Sequence, residues 1–159
     1  MYKRQESDVR AAAEQALAPF AIEDGGENPY TIQKDLQETM QRLVGIIRKR
    51  EELEESLVEI EKLKERAKKL AVEGHRQYNP GWHLAIDLRN MLIVSECIAK
   101  AALARQESRG GHTRDDFPKT DPSWGAKNLI VTLNTAGTGV DLSEKPLPVM
   151  PDELKKYFD

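Results

Sequence analysis

Apolar residues recur at helical spacing through the first two thirds of the chain. The Ala- and Glu-rich run from Glu6 to Leu17 reads as a helix that ends before Pro19. Gly25-Gly26-Glu27-Asn28-Pro29 then breaks the pattern and makes residues 18–30 a connection. Ile32, Leu36, Met40 and Leu43 form the apolar stripe of a second helix, with Thr31 as its expected N-cap. Gly45, within Val44-Gly45-Ile46-Ile47, predicts a bend, because glycine costs a helix about 1 kcal/mol relative to alanine.

From Arg48 to Lys69 a narrow seam (Leu53, Leu57, Ile60, Leu63, Ala67, Leu70) runs along an otherwise charged helix, which Gly74 is expected to end. Its acidic residues sit early and its basic residues late, the order that complements the helix dipole. Asn79-Pro80 supplies the next cap and first helical residue. Trp82 to Leu103 is apolar on more than one face, so it should be the central helix, with the charged helix packed against it. Leu129 to Leu133 and Val140 to Leu142 flank Asn134-Thr135-Ala136-Gly137-Thr138-Gly139, a short β-hairpin pattern. Pro146, Pro148 and Pro151 predict an extended tail, with a last short helix over Asp152 to Phe158. The expected fold is all-α: an antiparallel, spectrin-repeat-like three-helix bundle with a small C-terminal hairpin and an extended tail. It divides into an N-terminal helix and connection (1–30), a bundle core (31–107) and a loop, hairpin and tail (108–159), in one domain overall.

Composition narrows the function. The 159 residues are 39% apolar and 32% charged, with a net charge of −3, which argues against a generic grip on nucleic acid. No apolar run approaches the roughly 18–20 residues that span a bilayer. The first six residues carry basic groups without an apolar core after them, so no signal peptide is expected. The single Cys97 excludes an internal disulfide framework, makes a reducing compartment the default and reads as a small core residue. His75, His83 and His112 lack the spacing of a helical zinc site. Gly137-Thr138-Gly139 has neither a third glycine nor a following helix, and reads as a turn rather than a phosphate cradle. No catalytic, cofactor-binding or metal-binding residue is therefore expected in this chain.

The stretch Arg105 to Arg114 is the candidate site. It gathers Arg105, Arg109, His112 and Arg114 around Gly110-Gly111, next to Asp115 and Asp116. Arginines bind carboxylates through two parallel hydrogen bonds, so three readings stand: an anion site, a docking loop, or a local network that ends a helix. Arg105, Arg109, His112, Arg114 and Asp116 are the interface candidates.

Glu107-Ser108-Arg109-Gly110-Gly111-His112-Thr113-Arg114-Asp115-Asp116-Phe117-Pro118 resembles the ESRGAHxRxDxP signature of the succinate dehydrogenase/fumarate reductase flavoprotein family. Asp35-Leu36-Gln37, Met40-Gln41 and Ile46-Ile47-Arg48 are similar to its DLQ…MQ…R stretch, and Asn90-Met91-Leu92 with Ser95-Glu96 to the region before the signature. Tyr78-Asn79-Pro80-Gly81-Trp82 looks like an actinobacterial-type variant, and Gly111 stands where alanine is commoner. The resemblance covers roughly residues 30–124 and only the C-terminal helical domain of the family. It implies a parent enzyme that interconverts succinate and fumarate with FAD, which this fragment would neither bind nor use alone. It implies packing on the flavin-binding domain, contact with an iron–sulfur subunit, an indirect relation to a membrane anchor, and a cytoplasmic place at the inner face of the plasma membrane. The alternatives are a free-standing module dimerising through the 50–70 seam, or a fragment of an L-aspartate oxidase.

Overall fold

The computed structural model describes residues 5–22 and 25–157. The described chain is mostly helical, with two small sheets. Helix α1 spans Glu6–Leu17 and runs into a 3-10 turn at Ala18–Phe20; α2 spans Pro29–Leu43, α3 Arg50–Ala67 and α4 Pro80–Ala104. Strand β1 (Ile47–Arg48) pairs in parallel with β2 (Thr113–Arg114). A single-turn α5 (Pro122–Gly125) precedes the antiparallel hairpin β3 (Lys127–Leu133) and β4 (Val140–Pro146), and α6 spans Asp152–Lys155. Phe158, the expected end of the last helix, lies outside the described residues.

Helices α2, α3 and α4 each pack against the other two. The expected stripes supply the core: Ile32, Leu36 and Leu43 from α2, Leu53, Ile60 and Leu63 from α3, and Ala85, Leu88, Leu92 and Ala99 from α4. The α3 seam is thereby consumed inside the molecule, which removes the surface that a dimerising module would use. The seam also buries Ser56, whose hydroxyl donates to the Leu53 carbonyl at 2.7 Å and so meets its own polar need.

Two helix ends differ from expectation. The N-cap of α2 is Asn28 rather than Thr31: its side chain accepts from the Tyr30 amide at 2.9 Å, and Pro29 takes the first helical position, where a missing N–H costs nothing. Helix α3 stops at Ala67, well before Gly74. Beyond it the backbone forms a bridge with Glu27, whose amide donates to the Lys69 carbonyl at 2.7 Å and whose carbonyl accepts from Ala71 at 3.0 Å. Leu70 stays buried although its backbone has left the helix, so the side-chain period outlasts the helix. Arg66 fixes this end with bonds of 2.6 and 2.8 Å to Glu27 and 2.7 Å to Asp35.

The bend at Gly45 is present between α2 and β1. A Cβ there would lie 2.9 Å from the Gln41 carbonyl oxygen, so the close turn requires glycine. Asn79 caps α4 by accepting from the Trp82 amide at 3.1 Å, and its own amide donates to the Glu73 and His75 carbonyls. Asn79→Ala should lower stability by about 1 kcal/mol, readable as a small drop in the thermal midpoint by circular dichroism. A midpoint equal to wild type would show that Pro80 alone sets the start of the helix.

The hairpin lies against α4 through Glu96, which is buried. Its carboxylate accepts from Lys64 and Lys100, each at 2.6 Å, and from the Val140 amide at 3.4 Å. Burial alone would raise its pKa; the Lys100 and Lys64 hydrogen bonds outweigh that and hold it low. A groove of about 560 Å³ beside it is lined in part by Leu57, Ile60, Lys64, Glu96 and Lys100, where Glu96 pairs with both lysines.

Candidate functional site

The stretch from Arg105 to Asp121 folds back on the end of α4, and most of its charges meet partners within it. Glu107 is its centre. Its side chain is fully buried and accepts from Arg105 at 2.5 Å, from Arg109 at 2.9 and 3.0 Å, and from the Asp121 amide at 2.8 Å. The Arg109 hydrogen bonds, helped by the Asp121 amide and the nearby charges, overcome burial and hold its pKa down at about 2. Arg109 also donates to the Asp121 carbonyl at 3.0 Å.

Arg114 points inward and is fully buried. Its guanidinium grips Asp116 through bonds of 2.7 and 2.6 Å and donates to the carbonyls of Ala102, Leu103 and Arg105 at 2.7, 3.1 and 3.2 Å. The Ala102 and Leu103 carbonyls are acceptors of the last turn of α4 without intrahelical partners, so Arg114 caps that helix from a distant segment. Phe117 covers the guanidinium, with 5.0 Å from its central carbon to the ring centre. A buried charge requires partners, and for Arg114, one of the interface candidates, this chain supplies them.

His112 joins two elements. Its Nδ1 lies 2.9 Å from Arg48 Nη1 and its Nε2 lies 3.0 Å from the Arg105 carbonyl. A guanidinium only donates, so Nδ1 accepts and the proton sits on Nε2. Burial, followed by the charges of Arg48, Arg114 and Arg105, pushes the imidazole pKa down against the pull of that carbonyl. Arg48 Nε in turn donates to the Val44 and Gly45 carbonyls, which ties the α2–α3 bend to the loop. Ser108 closes the loop by accepting from the Arg114 amide at 2.9 Å, with its hydroxyl 2.9 Å from the Phe117 carbonyl.

The five candidates thus converge on one knot, in which Arg105, Arg109 and His112 are only partly covered and Asp116 sits at the rim. Sequence reasoning missed Arg48 and Asp121 as members. Glu107 was legible as an acid beside two arginines; Arg48, far along the chain, was not. Among the described residues no group of three or more His, Cys, Asp and Glu is placed to hold a metal ion. No helix among them is long and apolar enough to cross a membrane.

Residues 33–156 match the family described as fumarate reductase flavoprotein C-term. The chain belongs to that family. Within it, the chain is 39% identical over 137 residues to the fumarate reductase flavoprotein subunit of Helicobacter pylori, covering 85% of this chain and 19% of that one. Its identity to the Escherichia coli fumarate reductase flavoprotein subunit is 35% over 151 residues, covering 92% of this chain and 25% of that one. Among solved structures, the Mycobacterium smegmatis Sdh1 complex contains a chain matched with a TM-score of 0.90 and 47% identity, over 99% of this chain and 27% of that one. The chain spans about a fifth to a quarter of the length of these curated relatives. The family match begins inside α2 and includes the whole Glu107 knot and the hairpin.

Proposed function

We propose that this chain is the C-terminal helical domain of a flavoprotein subunit that interconverts succinate and fumarate. Its role there is architectural: an antiparallel three-helix bundle, with 1–30, 31–107 and 108–159 as parts of one domain, packs on the flavin-binding domain and shapes the surface met by an iron–sulfur subunit. A membrane anchor is reached only through that subunit, at the cytoplasmic face of the membrane. What carries this reading is the family match over residues 33–156 together with the fold shared across nearly the whole chain with Sdh1.

FAD belongs to the parent enzyme in this proposal. The residues here do not fit a dinucleotide cradle. Gly137 has φ of 69°, Thr138 N donates to Asn134 Oδ1, and Asn134 N donates to the Gly139 carbonyl, so these residues close a hairpin instead of opening a helix. The chain's own groups hold shape: Arg114 and Glu107 fix the loop, and Arg105, Arg109, His112 and Asp116 form its outward rim.

The test is a graft. This chain replaces the matching part of the Mycobacterium smegmatis Sdh1 flavoprotein, and the complex is assayed for bound flavin and succinate oxidation. Retention of both is expected. A graft that folds and keeps flavin yet supports no turnover would count against the reading.

A further inference from the structure

Helix α4 presents different outer faces in its two halves. In the first half, after Pro80, the exposed positions are His83, Ile86, Asp87 and Asn90, a mostly polar set. From Met91 to Ala104 the exposed positions are Val94 and Ile98, at 54% and 43%, and Cys97 and Ala101 lie half-buried beside them. These four recur at steps of 3, 1 and 3, which puts them on one stripe. It lies opposite Leu92, Ser95, Ala99 and Ala102, which face the core. Helix α3 gives the contrast within the same molecule: Glu51, Glu54, Glu55, Glu61, Lys62 and Glu65 occupy its exposed positions, with Val58 as the apolar exception. A helix half whose outward residues are all apolar or small has the pattern of a helix covered on every side.

We infer that the Val94–Ala101 stripe of α4 is the surface on which the rest of the flavoprotein subunit packs, through an apolar patch of its own. This rests on the function proposed above. Two considerations select that occupant over a second copy of the chain. The stripe is about 10 Å long at 1.5 Å per residue, which is short for a stable dimer, since that buries about 800 Å² on each partner. A contact within one polypeptide escapes most of the translational and rotational cost of association, so a small apolar stripe suffices there. The matched Sdh1 chain provides such a neighbour, because this chain covers only 27% of it.

The experiment adds Val94→Lys and Ile98→Lys, together, to the Sdh1 graft and to the isolated chain. In the isolated chain the thermal midpoint should stay near wild type, because lysine suits an exposed helix better than valine or isoleucine. In the graft, assembled flavin-containing subunit should fall roughly tenfold, the equivalent of 1.4 kcal/mol. Val58→Lys on α3, equally exposed, should leave assembly unchanged. A wild-type graft that fails to assemble refutes the proposed function itself. If the wild-type graft assembles and the double variant does so equally well, the assignment of this surface is wrong. The assignment also fails if the variant unfolds the isolated chain, or if the isolated chain is a dimer that the two lysines split.

Discussion

Arg114→Ala lowers the thermal midpoint of the chain by roughly 6–12 °C, the largest effect expected of any substitution in the loop. The guanidinium is fully buried and serves Asp116 and three carbonyls at the end of α4. Alanine leaves the Ala102 and Leu103 carbonyls without this donor, strips Asp116 of its partner and opens a cavity under Phe117. Breaking a buried ion pair from one side costs about 3–5 kcal/mol. The Asp116 side chain keeps 28% exposure, which places this case near 3 kcal/mol. Each kcal/mol moves the midpoint of a domain this size by about 2–4 °C. Arg114→Lys should fall between, because an ammonium keeps the charge but cannot hold a carboxylate and a row of carbonyls with one planar fork. Thermal melts followed at 222 nm distinguish the three proteins. Equal midpoints for alanine and wild type would mean that the end of α4 is held by packing alone.

Acidification lowers the stability of the chain in two steps, and Glu107→Gln weakens the lower one. His112 has a pKa below the ordinary 6.5, so it is neutral when folded and binds a proton more readily when unfolded. Its contribution is whole above 6.5 and fades as pH falls below that value. Glu107 moves from the ordinary 4.5 to about 2. Its contribution is whole above 4.5 and fades as pH falls toward 2. Asp116 shifts the same way, chiefly through its hydrogen bonds to Arg114. Thermal midpoints measured from pH 7.5 down to about 2.5 should therefore decline below 6.5 and again, more steeply, below 4.5. In Glu107→Gln the midpoint at neutral pH is lower and the second decline is shallower. Parallel curves for variant and wild type would show that Glu107 does not carry the acid sensitivity.

The loop around Glu107 is also where reading along the chain falls short. Arg109, His112 and Arg114 looked like surface groups in search of a partner, because three cationic or titratable side chains crowd into six positions. Glu107 answers Arg109 and Asp116 answers Arg114, both two residues away in sequence. His112 is answered by Arg48, which is 64 positions distant and arrives only through the parallel pairing of β1 with β2. Two-residue strands of this kind leave no periodic signal, so no pattern announces them.

The sequence by itself determined the helices and the hairpin, because local physics sets them. Periodicity placed Ile32, Leu36, Leu53, Ile60, Leu88 and Leu92 in the core, Asn79-Pro80 started α4, Gly45 made the bend, and Gly137 and Gly139 lie in the hairpin turn. The tertiary structure decided what depends on contact between distant segments. It ended α3 at Ala67, where pairing with Glu27 replaces the next helical bonds, and turned Arg114 inward, where the Ala102 and Leu103 carbonyls of α4 stand open. It also left Val94 and Ile98 uncovered on a helix whose composition calls for burial on several sides. Side-chain spacing records which way a residue faces relative to its own helix; only the packed chain decides whether anything is there to meet it.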